Sequence, residues 1–138
     1  MSARESGNDG ITFRVKGAGA VTLASDAART FATEQGLSDD DLARLCIIVE
    51  ELVANLYEHG DLAEHDEVTI RLVRGPSGTC LTIEDKGTPF DPRQAPAGLA
   101  RPTRGGGAGI DLVRAWATIT DYRSVGGVNW LDLFVPSA

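Results

Sequence analysis

The spacing of hydrophobic residues along the chain predicts a set of short strands. Residues 11–15 alternate between apolar and polar side chains, which is the period of a strand with one buried face. The same alternation in residues 68–74 and 79–85 flanks the turn sequence "GPSG" and predicts a hairpin. A closing hairpin is predicted where residues 118–124 and 129–135 flank "VGGV".

Helix signals lie between the first strand and the first hairpin. Ser25 is a suitable N-cap for a helix over residues 26–35, and Gly36 is suited to end it. Ser38, with an aspartate three residues later, predicts the start of a second helix that runs to residue 58 and stops at a glycine.

The second predicted helix has one apolar stripe and a crowded polar side. Its apolar residues recur with the spacing of a single helix face: Leu45, Ile48, Val49, Leu52, Val53 and Leu56. The other side carries Glu50, Glu51, Asn55, Glu58 and His59, which either face water or point into a cleft. We interpret Glu50 and Glu58 as solvent-facing charges. His59 is favoured near a helix C-terminus by the helix dipole and receives no further role.

The order of the predicted elements is strand, two helices, hairpin, loop, a short helix over residues 110–117, and a second hairpin. This order indicates an α+β fold with helices on one face of a largely antiparallel sheet. At 138 residues the chain is long enough for one domain with its own core. We predict that this domain covers residues 10–138 and that the polar residues 1–9 form a disordered tail.

Composition limits the functional classes. A formal net charge of −7 argues against direct binding of nucleic acid or of an anionic membrane surface, since both depend on cationic contacts. Cys46 and Cys80 lack metal-ligand spacing, so we expect two buried thiols in a reducing compartment. With no apolar signal segment and no run long enough to span a membrane, a cytoplasmic protein is expected.

The first candidate motif is Glu51 and Asn55 on the second helix. Residues four apart lie on the same helix face, about one turn from each other. A carboxylate at the edge of a cleft can accept a proton from a hydroxyl nucleophile, and an amide oxygen suits Mg²⁺ bridged to phosphates. The alternative is a polar face that only contacts water.

The second motif is "EDKGTPFDP", which follows the predicted strand over residues 79–85. Asp85 at the end of that strand, with Gly87 two residues later, is an ordinary exit turn. The same arrangement can present a carboxylate to the amino group of a buried purine, with Gly87 allowing the backbone to approach a flat ligand. Phe90 and its neighbours add specificity to the motif.

The third motif is a glycine-rich string before the short helix. Its backbone N–H groups and the N-terminus of the following helix suit phosphates, and the alternative is a flexible hinge. The string forms the end of a loop over about residues 88–108 that is long enough to act as a lid. Its residues are Arg104, Gly105, Gly106, Gly107, Ala108 and Gly109.

Taken in order, the three motifs resemble those of the histidine-kinase-like (GHKL) ATPases. Glu51 and Asn55 resemble the N box, "DKG" with Phe90 the first glycine box, and "GAGIDLV" the second. The resemblance implies the Bergerat fold, a two-layer α/β sandwich with a mostly antiparallel mixed sheet. It also implies ATP and Mg²⁺ as cofactors, with Asn55 binding the metal and Asp85 the adenine amino group. Gly87 would lie beside the ring.

Within this superfamily, "EELVANLYEHG", "GTPFDP" and the final "LFVP" resemble the anti-sigma-factor serine/threonine protein kinases. This resemblance implies Glu51 as general base, and the glycine string from Arg104 to Gly109 around the phosphates. It also implies phosphorylation of a small anti-sigma-factor antagonist, a sequestered sigma factor, a role in transcription regulation, and a homodimer.

Two departures from the kinase pattern leave other functions open. Ala108 stands where many relatives have an arginine, which Arg101 or Arg104 could replace. Val128 and Asn129 stand where relatives often have a threonine that helps hold adenine. The alternatives are a non-catalytic ATP-binding module that binds a regulator, and a stand-alone histidine-kinase-like domain that acts in trans.

Overall fold

In this computed structural model the described residues are 4–6, 10–94 and 108–138, and they form one sheet with helices packed against it. The strands pair in the order β1-β2-β3-β4-β6-β5, and each neighbouring pair among the described residues is antiparallel. The α+β class is therefore confirmed. The strands are β1 (Arg4–Ser6), β2 (Gly10–Val15), β3 (Val68–Arg74), β4 (Gly78–Asp85), β5 (Thr118–Val125) and β6 (Val128–Pro136).

Strand β1 lies within the segment that the sequence predicts to be a disordered tail. Its residues pair with β2, with Glu5 opposite Thr12. The edge of a sheet offers unpaired backbone N–H and C=O groups, and a short polar segment can satisfy them without a core of its own. The remainder of residues 1–9 lies outside the described residues.

The first helix, α1, covers Ala20–Glu34 and begins earlier than the sequence predicts. Gly19 occupies the N-cap without a side-chain hydrogen bond, and Ser25 lies inside the helix. The predicted cap at Ser25 is therefore wrong. The predicted end is confirmed: Gly36 adopts a positive φ of 71°, and the next amide donates to Ala32 in a Schellman arrangement.

Ser25 has a tertiary role in place of the predicted cap. Its buried hydroxyl donates a 2.6 Å hydrogen bond to the Glu50 carboxylate of the neighbouring helix. Glu50 is half-buried in this contact, so its interpretation as a solvent-facing charge is also wrong. The bond joins the two long helices because a small hydroxyl on one faces a carboxylate on the other.

The second helix, α2, covers Asp39–His59 as the sequence predicts. Ser38 caps its start by accepting a 3.1 Å hydrogen bond from the Asp41 amide, and three aspartates in the first turn suit the helix dipole. Gly60 is its C-cap.

The third helix, α3, covers Ala108–Trp116 and packs against α2 and β5. Its buried residues Ile110 and Val113 face inward. At its far end the Arg44 guanidinium lies over the Trp116 ring, 5.5 Å from the centroid, which fixes α3 against α2.

The two faces of the sheet differ because strand residues alternate. Ile11, Phe13, Ile70, Leu81 and Ile83 are buried beneath α1 and α2, while the residues between them point to the opposite face, which we call the outer face. Cys46 on α2 is buried as predicted. Cys80 belongs to the outer face of β4 and is exposed, so the prediction of two buried thiols is wrong for it.

None of the helices in the described ranges is long and apolar enough to cross a membrane. The final hairpin turns at Gly126 and Gly127, both with positive φ, as the sequence "VGGV" predicts.

Candidate functional site

Helix α2 places Glu51 and Asn55 one turn apart near its C-terminal end. Asn55 is only 6% exposed, and its side chain makes no hydrogen bond to any residue that the structure describes. Buried amides nearly always have partners, so a buried amide without one is a candidate ligand-binding group. Glu51 is half-buried on the same face and has a contact of its own.

The end of β4 presents a second buried group, the Asp85 carboxylate, which is 7% exposed. Its Oδ1 accepts hydrogen bonds from the Gly87 amide at 2.8 Å and from Asn129 Nδ2 at 3.0 Å. Its Oδ2 accepts no hydrogen bond from the described part of the chain. One oxygen is thus fixed by the protein, and the other is available as an acceptor for an amino group.

Asn129 on β6 is the residue that holds this carboxylate in place. It lies directly across from Asp85 in the sheet and is 3% exposed. Its Nδ2 also donates to the Gly87 carbonyl at 2.9 Å, and its Oδ1 accepts from Ser124 Oγ at 2.7 Å. The two bonds that Nδ2 donates therefore fix one orientation of Asp85 and hold the turn that follows β4, while the bond from Ser124 on β5 orients the Asn129 amide itself.

Gly87 is the point at which the β4 turn meets the end of α2. A Cβ atom at this position would lie 2.2 Å from the Gly60 carbonyl oxygen, so no larger residue fits. Next to it, the Thr88 amide donates to the same carbonyl at 2.7 Å, and its hydroxyl donates to Asp61 at 2.7 Å. These contacts connect the helix that carries Asn55 to the turn that carries Asp85.

Phe90 continues this turn and is held by β5. Its backbone amide donates to the Tyr122 hydroxyl at 2.9 Å. Burial raises the pKa of Tyr122, and the nearby carboxylates of Asp85 and Asp91 raise it further, while the Phe90 amide acts in the opposite direction. Tyr122 therefore stays neutral and keeps its place between the β4 turn and the sheet.

Asp91 and Arg93 close the described part of the loop. The Arg93 guanidinium donates from Nη2 at 2.7 Å and from Nε at 3.0 Å, and its backbone amide donates as well. These hydrogen bonds lower the pKa of Asp91. The pair stabilises the 3-10 turn Pro92–Gln94, which lies within the first part of the predicted lid.

The glycine string is described only at its end, where Ala108 and Gly109 begin α3. Arg101 and the predicted phosphate-binding residues Arg104, Gly105, Gly106 and Gly107 lie outside the described residues, as does most of the predicted lid. Because α3 packs against α2, the string ends beside the helix that carries Asn55.

Two of the residues in this site were not assigned a role by the sequence. Tyr122 and Ser124 occupy a strand with a polar sequence, and nothing in that sequence identifies their contacts. The burial of Asn129, by contrast, can be predicted from the sequence, because this residue begins the inward-facing series that continues with Leu131 and Leu133. A buried amide in such a series needs a polar partner.

No group of His, Cys, Asp or Glu side chains suited to a metal ion occurs among the residues described. A divalent ion at Asn55 would therefore depend on phosphate oxygens and water for its other ligands. This is how Mg²⁺ is commonly held in nucleotide sites.

Comparison with known proteins agrees with the fold of the chain. Residues 14–134 match the sequence profile of a histidine kinase-like ATPase domain, which is most of the chain. A search of curated proteins found no match. The fold is similar to a chain of the SiaB–SiaC complex from Pseudomonas aeruginosa, with a TM-score of 0.58 and 12% sequence identity over 90% of this chain and 88% of that chain. At such low identity the likeness shows the fold alone.

Proposed function

Because the chain belongs to the histidine kinase-like ATPase domain family, we propose that it binds Mg-ATP and transfers phosphoryl to a serine or threonine of a small partner protein. The observation that supports nucleotide binding best is the pair of buried polar groups without partners in the described residues, the Asn55 amide and Asp85 Oδ2. Both are costly to bury unless a ligand satisfies them.

Each side chain has a distinct role in this proposal. Asp85 Oδ2 accepts a hydrogen bond from the adenine amino group, while Asn129 fixes the other carboxylate oxygen. A guanine would present a carbonyl oxygen to Asp85 instead, which a carboxylate repels. The glycine string from Arg104 to Gly109 surrounds the phosphates, as the sequence predicts.

Mg²⁺ fits the Asn55 position, because a buried amide oxygen without a protein partner is a neutral hard ligand. When bound, the ion would neutralise charge on the phosphate oxygens during transfer. Asn55 holds the metal side of the site, one turn from Glu51. The general base Glu51 and the phosphates bound through the metal are therefore kept on the same face of α2.

The proposed reaction moves one phosphoryl group and one proton. The bond between the γ-phosphorus and its bridging oxygen breaks, and ADP leaves with that oxygen. A bond forms between the phosphorus and the partner's hydroxyl oxygen, whose proton passes to the Glu51 carboxylate. Phosphoryl transfer depends mainly on positioning and charge, which a single carboxylate and a glycine loop can provide.

The proposed partners follow from the resemblance to anti-sigma-factor kinases. They are an anti-sigma-factor antagonist that carries the target hydroxyl and a sigma factor that is sequestered in the nucleotide-bound state. We place the protein in the cytoplasm as a homodimer with a role in transcription regulation. The structurally similar SiaB–SiaC chain comes from a complex of two proteins, which supports a protein partner for this fold.

A second candidate is a regulatory module that binds ATP without catalysis. Ala108 favours it, because this position lacks the cationic side chain that would stabilise charge on the phosphates. Such a module would use the nucleotide only to set its conformation and its affinity for a regulator.

The test combines γ-labelled ATP, Mg²⁺ and a candidate antagonist protein. We expect acid-stable label on serine or threonine with the wild-type protein. Glu51→Gln should bind ATP normally and lose transfer, whereas Asn55→Ala should lose binding and transfer together. Normal transfer by Glu51→Gln would refute the assignment of the base. ATP binding without any labelled product would favour the regulatory module, and acid-labile label would indicate a histidine acceptor.

A further inference from the structure

Asp61 follows the C-cap of α2 and is the only residue other than glycine with a positive φ in the part of the chain that the structure describes. Its φ of 55° lies in the left-handed region, which side chains seldom occupy, although aspartate tolerates it better than most. Glycine is the usual residue in such a conformation after a helix. The end of the helix therefore accounts for the left-handed backbone at this position but not for the carboxylate.

The Asp61 carboxylate contacts Thr88, at a sequence separation of 27 residues. The Thr88 hydroxyl donates a 2.7 Å hydrogen bond to Asp61 Oδ2, and the Thr88 amide donates one of 2.7 Å to the Gly60 carbonyl. That carbonyl belongs to the peptide bond before Asp61, and the φ angle of Asp61 is the rotation between this rigid plane and the rest of the residue. The left-handed φ therefore sets how the two acceptors are placed for Thr88.

The opposite side of the same turn is held by the sheet. Asn129 Nδ2 donates to the Gly87 carbonyl at 2.9 Å, and the Gly87 amide donates to Asp85 Oδ1 at 2.8 Å. These bonds do not involve α2 and would remain if the Asp61 carboxylate were removed. Asp61 therefore acts on the position of the turn relative to the helix and not on the shape of the turn.

An exposed aspartate after a helix is ordinarily a surface residue that serves only its own loop. Asp66, in the same loop between α2 and β3, is of this kind, because it accepts a 2.8 Å hydrogen bond from the nearby Ala63 amide. Asp61 differs: among the described residues its carboxylate accepts from Thr88 and from no residue of its own loop.

We infer that Asp61 is a positioning residue, which through Thr88 holds the turn after Asp85 against the end of α2 and so fixes the separation between Asp85 and Asn55. This inference rests on the proposed function, in which one nucleotide spans both groups. A ligand held at two places binds more tightly when the protein keeps those places at a fixed distance, because less freedom is lost on binding. Asp61 therefore raises the affinity for a nucleotide that carries Mg²⁺, while the contact of adenine with Asp85 is unchanged.

The test is calorimetric titration of the full chain and four variants with ADP, with and without Mg²⁺. Asp61→Ala removes both the acceptor and the tolerance of a left-handed φ, Asp61→Gly removes only the acceptor, and Asp61→Asn keeps both. We expect the alanine and glycine variants to bind Mg-ADP about threefold to tenfold more weakly, and magnesium-free ADP within about twofold of wild type. Asp61→Asn should restore wild-type binding. Asp66→Ala, the matched control, should change neither affinity.

Hydrogen exchange of the Thr88 amide tests the contact itself and is measured by NMR on the ¹⁵N-labelled chain without nucleotide. Exchange should be faster in Asp61→Ala and Asp61→Gly than in the wild type, Asp61→Asn or Asp66→Ala, because the bond to Gly60 then opens more often. The same spectra report whether each variant is folded.

The inference is overturned if Asp61→Ala binds Mg-ADP as tightly as the wild type, if Asp66→Ala weakens binding equally, or if Asp61→Ala leaves the exchange rate of the Thr88 amide unchanged. Absence of nucleotide binding by the wild type would instead refute the proposed function. The exchange rates would then decide by themselves whether Asp61 holds the turn against α2.

Discussion

Asn129 Nδ2 lies 3.0 Å from Asp85 Oδ1, and this hydrogen bond joins two buried side chains on neighbouring strands. The same amide group also reaches the Gly87 carbonyl at 2.9 Å. Asn129 therefore fixes both the carboxylate that would select adenine and the turn that follows it. Val128 and Asn129 stand where the kinase relatives often carry a threonine that helps hold adenine, and we propose a related role for Asn129.

Replacing Asn129 with alanine should weaken nucleotide binding about tenfold to a hundredfold, because a hydrogen bond to a charged group is worth about 1.5–3 kcal/mol. Asp85 would then be free to rotate and would be partly unsatisfied. Calorimetric titration with ATP measures the loss. Ser124→Ala, which removes only the exposed donor to Asn129, should change the affinity much less. Equal affinity of Asn129→Ala and wild type would show that Asp85 does not need this support.

Replacing Gly87 with alanine should abolish nucleotide binding, because the new methyl group would clash with the Gly60 carbonyl oxygen. The β4 turn and the end of α2 would have to separate, and the Thr88 hydrogen bond to Gly60 would break. The matched control is Gly19→Ala, since a Cβ at Gly19 meets nothing within 4 Å. ATP affinity of the two variants is compared by calorimetry, with circular dichroism to confirm folding. Tight ATP binding by Gly87→Ala would show that the close contact between Gly87 and Gly60 is not needed for the site.

Ser25→Ala should lower the free energy of unfolding by about 1–3 kcal/mol, because it removes the hydroxyl that donates to half-buried Glu50. The contact lies between α1 and α2 and involves neither Asn55 nor Asp85. We therefore expect unchanged ATP affinity at temperatures where the variant is folded. Urea unfolding measures the first quantity and calorimetry the second. A loss of affinity without a loss of stability would place Ser25 in the site instead.

The Asp91–Arg93 pair predicts a dependence of stability on pH. The pKa of Asp91 is lower in the folded state than in the unfolded chain, so the unfolded state takes up a proton first as the pH falls. The contribution of the pair to the free energy of unfolding is complete at pH values above the ordinary carboxyl pKa. It is lost as the pH falls towards the pKa of Asp91 in the folded state. Urea unfolding of wild type and Asp91→Asn between about pH 6 and pH 3 tests this. The stability difference between them should shrink with acid; a constant difference would contradict it.

Much of the fold follows from local sequence signals. The Ser38 cap, the glycine at position 36 and the alternation in β3 and β4 each depend on a few adjacent residues, and the structure confirms them. The predicted start of helix α1 is wrong because Ser25 satisfies the local rule for a cap as well as Gly19 does. Its true partner, Glu50, is distant in the sequence, and only the packing of two helices reveals it.

The candidate site was predictable in its residue types and less so in its connections. Asn55 and Asp85 are expected from the three motifs taken together and from the family resemblance, and both side chains are buried. The role of Asn129 requires the register of β4 and β6, which places it opposite Asp85. Gly87 was expected to make room for a ligand. Its close approach to Gly60 shows that protein backbone also requires a glycine there.

The most direct test of nucleotide binding is calorimetry of the wild-type protein with ATP, ADP and GTP, each with and without Mg²⁺, together with Asp85→Asn and Asn55→Ala. We predict binding of both adenine nucleotides, tighter with Mg²⁺, and none of GTP. Asp85→Asn should lose affinity for ADP and ATP alike. Asn55→Ala should lose the increase in affinity that Mg²⁺ provides, and with it most of the affinity for ATP. No heat of binding with any nucleotide, or equal binding of ATP and GTP, would contradict the account.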